Sequence, residues 1–79
     1  MRLVYTEDRW LYVTARPQVG LLECWEVPPA LVGNLLYMIA IEEWRLWPLI
    51  DGVFELQIRD EHGSWNRVSL NKLKRGGDR

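Results

Sequence analysis

Phe54, Leu56 and Ile58 alternate with Glu55, Gln57 and Arg59 near the C-terminal end of the chain. Successive side chains of a strand point to opposite faces, so this run offers one face to a core and the other to water or polar contacts. A lone strand is unstable, and the run therefore demands a sheet. The next residues say which kind. Asp60-Glu61-His62-Gly63-Ser64 has turn composition, and Trp65 to Leu70 returns with Val68 and Leu70 on one face and Arg67 and Ser69 on the other. An antiparallel hairpin follows.

Three more strands are expected at the start of the chain. Leu3 to Thr6 and Trp10 to Thr14 are aromatic and β-branched and flank the polar break Glu7-Asp8-Arg9, the length of a hairpin turn. A second turn is expected over Arg16-Pro17-Gln18-Val19-Gly20, after which Leu21 to Val27 resumes as a third strand. Pro28-Pro29 stops that strand and suits a helix start, since neither proline can donate to a ladder. Leu31, Leu35 and Met38 then fall at the i, i+4, i+7 spacing of one helix face, with Val32, Leu36 and Ile39 beside them. The spacing predicts a helix from Pro29 to Ile41; the competing reading is a hairpin turning at Gly33-Asn34. A helix continued to Trp47 would strand Glu42 and Glu43 on the Leu35 and Ile39 face. Residues 42–52, punctuated by Pro48 and Asp51-Gly52, therefore read as an irregular or partly extended connector.

The expected order is β-β-β-α-β-β: an α+β fold with an antiparallel sheet of about five strands and one helix packed on it, or a partly closed small barrel. Seventy-nine residues make one domain. Residues 1–71 are expected to be compact and 72–79 to form a basic, flexible C-terminal tail. A domain this small has little interior, and large aromatic side chains are one way to fill it. The chain has five tryptophans. A single cysteine makes no internal disulfide, and one cysteine with one histidine excludes metal sites built from those residues. The N-terminus reaches Glu7 and Asp8 before any signal-like apolar run. The longest apolar stretch, Val27 to Ile41, is broken by prolines and by Gly33-Asn34 and is shorter than the roughly 20 residues of a membrane span. A cytoplasmic location is the expectation.

Net charge is −1, but the charges are segregated. Residues 17–44 carry Glu23, Glu26, Glu42 and Glu43 with no Lys or Arg, whereas residues 67–79 carry Arg67, Lys72, Lys74, Arg75 and Arg79 against Asp78 alone. An acidic surface suits a basic partner, and a basic terminus suits phosphates.

Catalytic chemistry finds little support. Cys24 stands between Glu23 and Trp25 in a strand, where carboxylate neighbours disfavour a thiolate, and His62 belongs to an acidic turn. Asp51, Glu55 and Gln57 loosely resemble the metal-dependent nuclease pattern of paired carboxylates beside a Lys or Gln. Glu55 and Gln57 are also simply the polar positions of an alternating strand, and nuclease domains of that type are longer than this chain. No Gly-rich loop joins a strand to a helix. No catalytic residue, metal or cofactor is assigned.

Aromatic residues in the connector remain. Trp44 and Trp47 stand beside Glu42, Glu43 and Arg45, and interfaces are enriched in Trp and Arg. The leading expectation is a non-enzymatic interaction module, an inhibitor or adaptor of the kind also carried by phages and other mobile elements. It would dock on a larger, nucleic-acid-handling protein through Trp44, Trp47, Glu42, Glu43 and Arg45. A helix apolar nearly all round favours a homodimer as well. The alternative rests on Trp65 to Leu73, which resembles the closing strand and basic exit of small barrels of the Src-homology type. That resemblance implies a nucleic-acid-binding barrel using Arg67, Lys72, Lys74 and Arg75.

Overall fold

The computed structural model describes residues 2–15, 23–50 and 52–76, with side chains through Leu73. Its elements are β1 (Arg2–Thr6), β2 (Leu11–Thr14), β3 (Cys24–Glu26), α1 (Pro29–Ile41), β4 (Trp44–Ile50), β5 (Val53–Arg59), β6 (Trp65–Arg67) and α2 (Leu70–Gly76). The strands form one antiparallel sheet in the order β3-β1-β2-β5-β4. β6 also pairs with β5. β5 organises the sheet. Its first residues, Val53 to Glu55, pair with β2 and its last, Gln57 to Arg59, pair with β6, while β4 runs along its opposite edge. A bridge between Trp10 and Ser69 ties the start of β2 to the end of β6, with Leu11 N–H donating to Val68 O and Leu70 N–H to Arg9 O.

The α+β class and its antiparallel sheet are as the alternation predicts. The sheet is not closed into a barrel: among the described residues β3 and β4 are its edges and do not pair with each other. The Src-homology resemblance therefore does not extend to the fold.

α1 spans the predicted residues. Pro29 enters the first turn, where a missing N–H costs no helical hydrogen bond, and Leu31 N–H donates to Pro28 O. The helix stops as Glu42 N–H donates to Met38 O and Glu42 turns extended, which keeps both carboxylates out of the core. Leu35 and Met38 are buried against Leu11, Leu56, Ile58, Val68, Leu70 and Leu73, with Leu31, Val32 and Ile39 packed beside them. Leu36, Tyr37 and Ile41, on the other side of the helix, are exposed.

Several boundaries differ from expectation. Residues 44–50 are not a connector but the strand β4, whose Trp, Leu and Ile residues suit a pleated surface. Pro48 reads as a breaker in sequence, yet an edge strand tolerates it where its nitrogen faces away from the sheet. β3 is described only from Cys24, and the expected turn at residues 16–20 and start of the third strand at Leu21 lie outside the described residues. β6 ends at Arg67 rather than running to Leu70, because after the Ser69 bridge the chain turns into α2. The expected tail therefore begins with ordered structure. Leu73 is 1% exposed in the core, and its carbonyl accepts from Asn34 Nδ2 at 3.4 Å. The remaining tail residues, 77–79, lie outside the described residues. No helix among the described residues is long and apolar enough to cross a membrane.

Candidate functional site

β4 carries the residues singled out from sequence and sorts them by parity. The strand register puts Trp44 and Leu46 opposite Ile58 and Leu56, on the side of the sheet that α1 covers. Arg45 and Trp47 stand opposite Gln57 and Glu55, on the open side. Trp44 and Trp47 are both about half exposed, at 44% and 47%, but they face opposite ways. They stand on the two faces of one strand rather than in one aromatic patch.

The open side is covered by long side chains that stack on each other. The Arg45 guanidinium lies 4.3 Å from the ring centroid of Trp47 and 4.3 Å from that of Trp65, a cation held between two indoles. Arg45 Nε donates to Gln57 Oε1 at 2.6 Å, and Gln57 Nε2 donates to Glu55 Oε1 at 3.2 Å. The other carboxylate oxygen of Glu55 is 3.3 Å from Arg67 Nε, and the Arg67 guanidinium lies 4.0 Å over the Trp10 ring. The chain Trp47, Arg45, Gln57, Glu55, Arg67, Trp10 thus crosses from β4 to the start of β2. Register explains it. Arg45, Gln57 and Arg67 form one lateral row across β4, β5 and β6, while Trp47, Glu55 and Tyr12 form the next across β4, β5 and β2. Glu55 is buried at 8% exposure, and its two cationic or amide partners offset the cost of burying a carboxylate.

Glu42 and Glu43 do not make a free acidic patch. Glu43 pairs with Arg59 at 3.4 Å, and Glu42 lies 3.9 Å from Lys72. Of these two pairs, the Glu42–Lys72 pair joins the acidic stretch to the basic end of the sequence, while Arg59 belongs to β5. Of the basic residues offered for nucleic acid, Arg67 is committed to Glu55 and Trp10, and Lys72 to Glu42. The side chains of Lys74 and Arg75 lie outside the described residues, as does Asp51. Glu55 and Gln57 bond each other and the neighbouring arginines, an arrangement explained by the sheet without a metal. No group of three or more His, Cys, Asp or Glu side chains able to hold a metal occurs among the described residues.

The turn between β5 and β6 positions one end of the ladder. Asp60 Oδ1 accepts from the backbone N–H of His62 and Ser64 at 2.9 and 2.8 Å, and Oδ2 accepts from Asn66 Nδ2 at 2.9 Å. Those bonds to the charged form, Ser64 first and then Asn66, hold the Asp60 carboxyl below its ordinary value. The turn they brace sends β6 back with Trp65 and Arg67 on the open side. Cys24 packs beside Val4, Tyr12 and Val53, and His62 is exposed on the β5–β6 turn.

Sequence reading missed Trp10, Glu55, Gln57 and Trp65 as partners of Arg45 and Arg67. The signal was present in part, since Glu55 and Gln57 are the polar positions of the clearest strand in the chain. What was lacking was the identification of β4 as their neighbour. Comparison with protein-family models, with curated proteins and with solved structures returned no match to this chain.

Proposed function

We propose that this chain is a non-enzymatic protein-interaction module, an inhibitor or adaptor acting in the cytoplasm, that engages a larger protein along the β4 edge. The observation that supports this reading is the edge itself. Among the described residues β4, seven residues long, pairs on one side only, and it exposes Trp44, Trp47, Leu49 and Ile50, at 44 to 56%. Unpaired strand edges with apolar side chains are templates for another chain, whose backbone supplies hydrogen bonds while side-chain pockets supply selectivity. Glu42 and Glu43 flank this edge, each beside a cation at its exposed rim. Trp44 and Trp47 anchor the contact from the two faces of the edge.

Affinity capture from source cells with the wild type and with a Trp44→Ala, Trp47→Ala variant tests the reading. Loss of the captured protein on substitution supports it, provided the variant keeps the wild-type circular dichroism. Unchanged capture sinks it. A second reading, binding of single-stranded nucleic acid, draws on the interleaved arginines and tryptophans of the open side, since such strands bind to stacking surfaces flanked by positive charge. Tryptophan quenching by an oligonucleotide that weakens with salt supports that reading, and no quenching at low salt discards it.

A further inference from the structure

We infer that the occupant of the β4 edge is a second copy of this chain, paired antiparallel about Leu46. The inference rests on the same exposed edge as the interaction reading above: a second copy occupies it when the larger protein is absent, and the two compete for it. The backbone directions come first. Arg59 N–H donates to Glu43 O at 2.9 Å, so Glu43 turns its backbone toward β5. Antiparallel strands alternate, and Arg45 and Trp47 therefore bond β5 while Trp44, Leu46 and Pro48 direct their backbone groups outward. Pro48 thus occupies a position where its missing N–H costs the β5 ladder nothing. The strand register slips between Pro48 and Ile50, so the regular free edge runs from Trp44 to Pro48, and its midpoint is Leu46.

A two-fold axis at Leu46 uses that whole stretch from both copies. The two Leu46 residues exchange N–H and C=O bonds, and each Trp44 N–H reaches the Pro48 carbonyl of the second copy. The proline ring, standing where a further donor would be, closes the pairing at that end. Every facing pair is compatible. On the helix side Leu46 meets Leu46 and Trp44 meets Pro48. On the open side Arg45, already held between Trp47 and Trp65 of its own chain, stands beside Trp47 of the second copy, with no like charge facing it. Shifting the axis to Arg45 would set like charges face to face, and shifting it to Trp47 would draw the register slip into the new ladder. The sequence of the edge is therefore self-complementary in one register. Its axis stands perpendicular to the sheet, and α1 of both copies lies on the same side.

The test combines sedimentation with amide hydrogen exchange on the full chain, from micromolar to millimolar concentration. The expected result is a two-chain mass at the upper end, with the Leu46 and Trp44 amides gaining protection as concentration rises. The Arg45 and Trp47 amides, bonded to β5 already, should be protected throughout. Leu46→Pro removes an outward donor and no β5 bond, and should weaken self-association at least about tenfold. Should that variant fold poorly, exchange of the wild type alone decides. A one-chain mass over the whole range overturns the inference, and so does a dimer whose Leu46 amide exchanges at the single-chain rate. A one-chain mass with foreign-protein capture still lost on Trp44→Ala, Trp47→Ala substitution overturns self-pairing and leaves the docking reading in place.

Discussion

On the helix side of the sheet, Leu11, Leu56 and Ile58 meet Leu35, Met38 and Leu73 in a cluster where all six are buried; on the open side, the same sheet presents Arg45, Glu55, Gln57 and Arg67, roofed by Trp10, Trp47 and Trp65. The first surface is closed by two helices and the second by its own side chains. Apolar packing is non-directional and scales with the area removed from water. A ladder of stacked guanidinium and indole groups with a buried carboxylate is directional, and each contact in it joins a particular pair of strands. A slip of one residue would turn every member of that ladder to the other face. The helix side holds the larger apolar cluster, whereas the open side joins its directional ladder to a smaller buried cluster of Val4, Tyr12 and Val53.

The comparison breaks most visibly at the core. Leu56→Ala, on the strand that touches every layer of the helix side, should cost about 2–5 kcal/mol in chemical denaturation. On the opposite side of the same strand, Glu55→Ala removes the acceptor of Arg67 Nε and Gln57 Nε2 and should cost about 1–3 kcal/mol. An open-side loss equal to the core loss would show that the ladder carries stability as well as register.

How much of this was legible in the sequence depends on whether the signal was local. The β5 alternation, the proline start of α1 and its apolar stripe at Leu31, Leu35 and Met38 each lie within one element, and each is found where the pattern places it. The placement of Glu42 and Glu43 outside the helix was also a local matter, of carboxylate burial. β4 was hidden because Pro48 and Gly52 mimic a loop, and a proline on an edge cannot be told from one in a connector without knowing where the edge is. Once residues 44–50 are a strand, the odd separation of Trp44 and Trp47 sends them to opposite faces. The ion pairs of Glu43 with Arg59 and Glu42 with Lys72 depend on strand register and helix docking, which no local pattern contains.

Smaller effects sharpen the contrast. Thr14, paired with Val53 in the sheet, is 1% exposed, and its Oγ1 has no hydrogen-bond partner among the described residues. A buried hydroxyl without a partner carries its full desolvation penalty, so Thr14→Val, which keeps the shape, should raise stability by about 1 kcal/mol. A loss instead would reveal an acceptor for that hydroxyl. A double-mutant cycle of Arg45→Met and Trp65→Phe isolates the stacking between them. Its coupling energy should be about 0.5–1 kcal/mol, as for a partly exposed cation over an indole. A coupling near zero would reduce the stack to a covering of apolar stems.

The smallest expected effect is the one that separates the two sides by pH. Asp60 is bonded in its charged form by Ser64 N–H, Asn66 Nδ2 and His62 N–H, which hold its folded pKa below that of an ordinary aspartate. A depressed carboxyl favours the folded state fully above its unfolded pKa and loses that contribution as pH falls through the folded one. The wild type should therefore shed stability below about pH 4 that Asp60→Asn, lacking the charge at every pH, has already forgone. Their unfolding midpoints should converge in acid. Because Asp60 braces the turn that returns β6, the loss should fall first on β6, which brings Trp65 and Arg67 to the ladder. Amides of Trp65 to Arg67 should lose exchange protection on acidification, after correction for the intrinsic pH dependence of exchange, while those of β2 keep it. Equal loss in both strands would mean that the turn and the ladder it positions unfold only with the whole sheet.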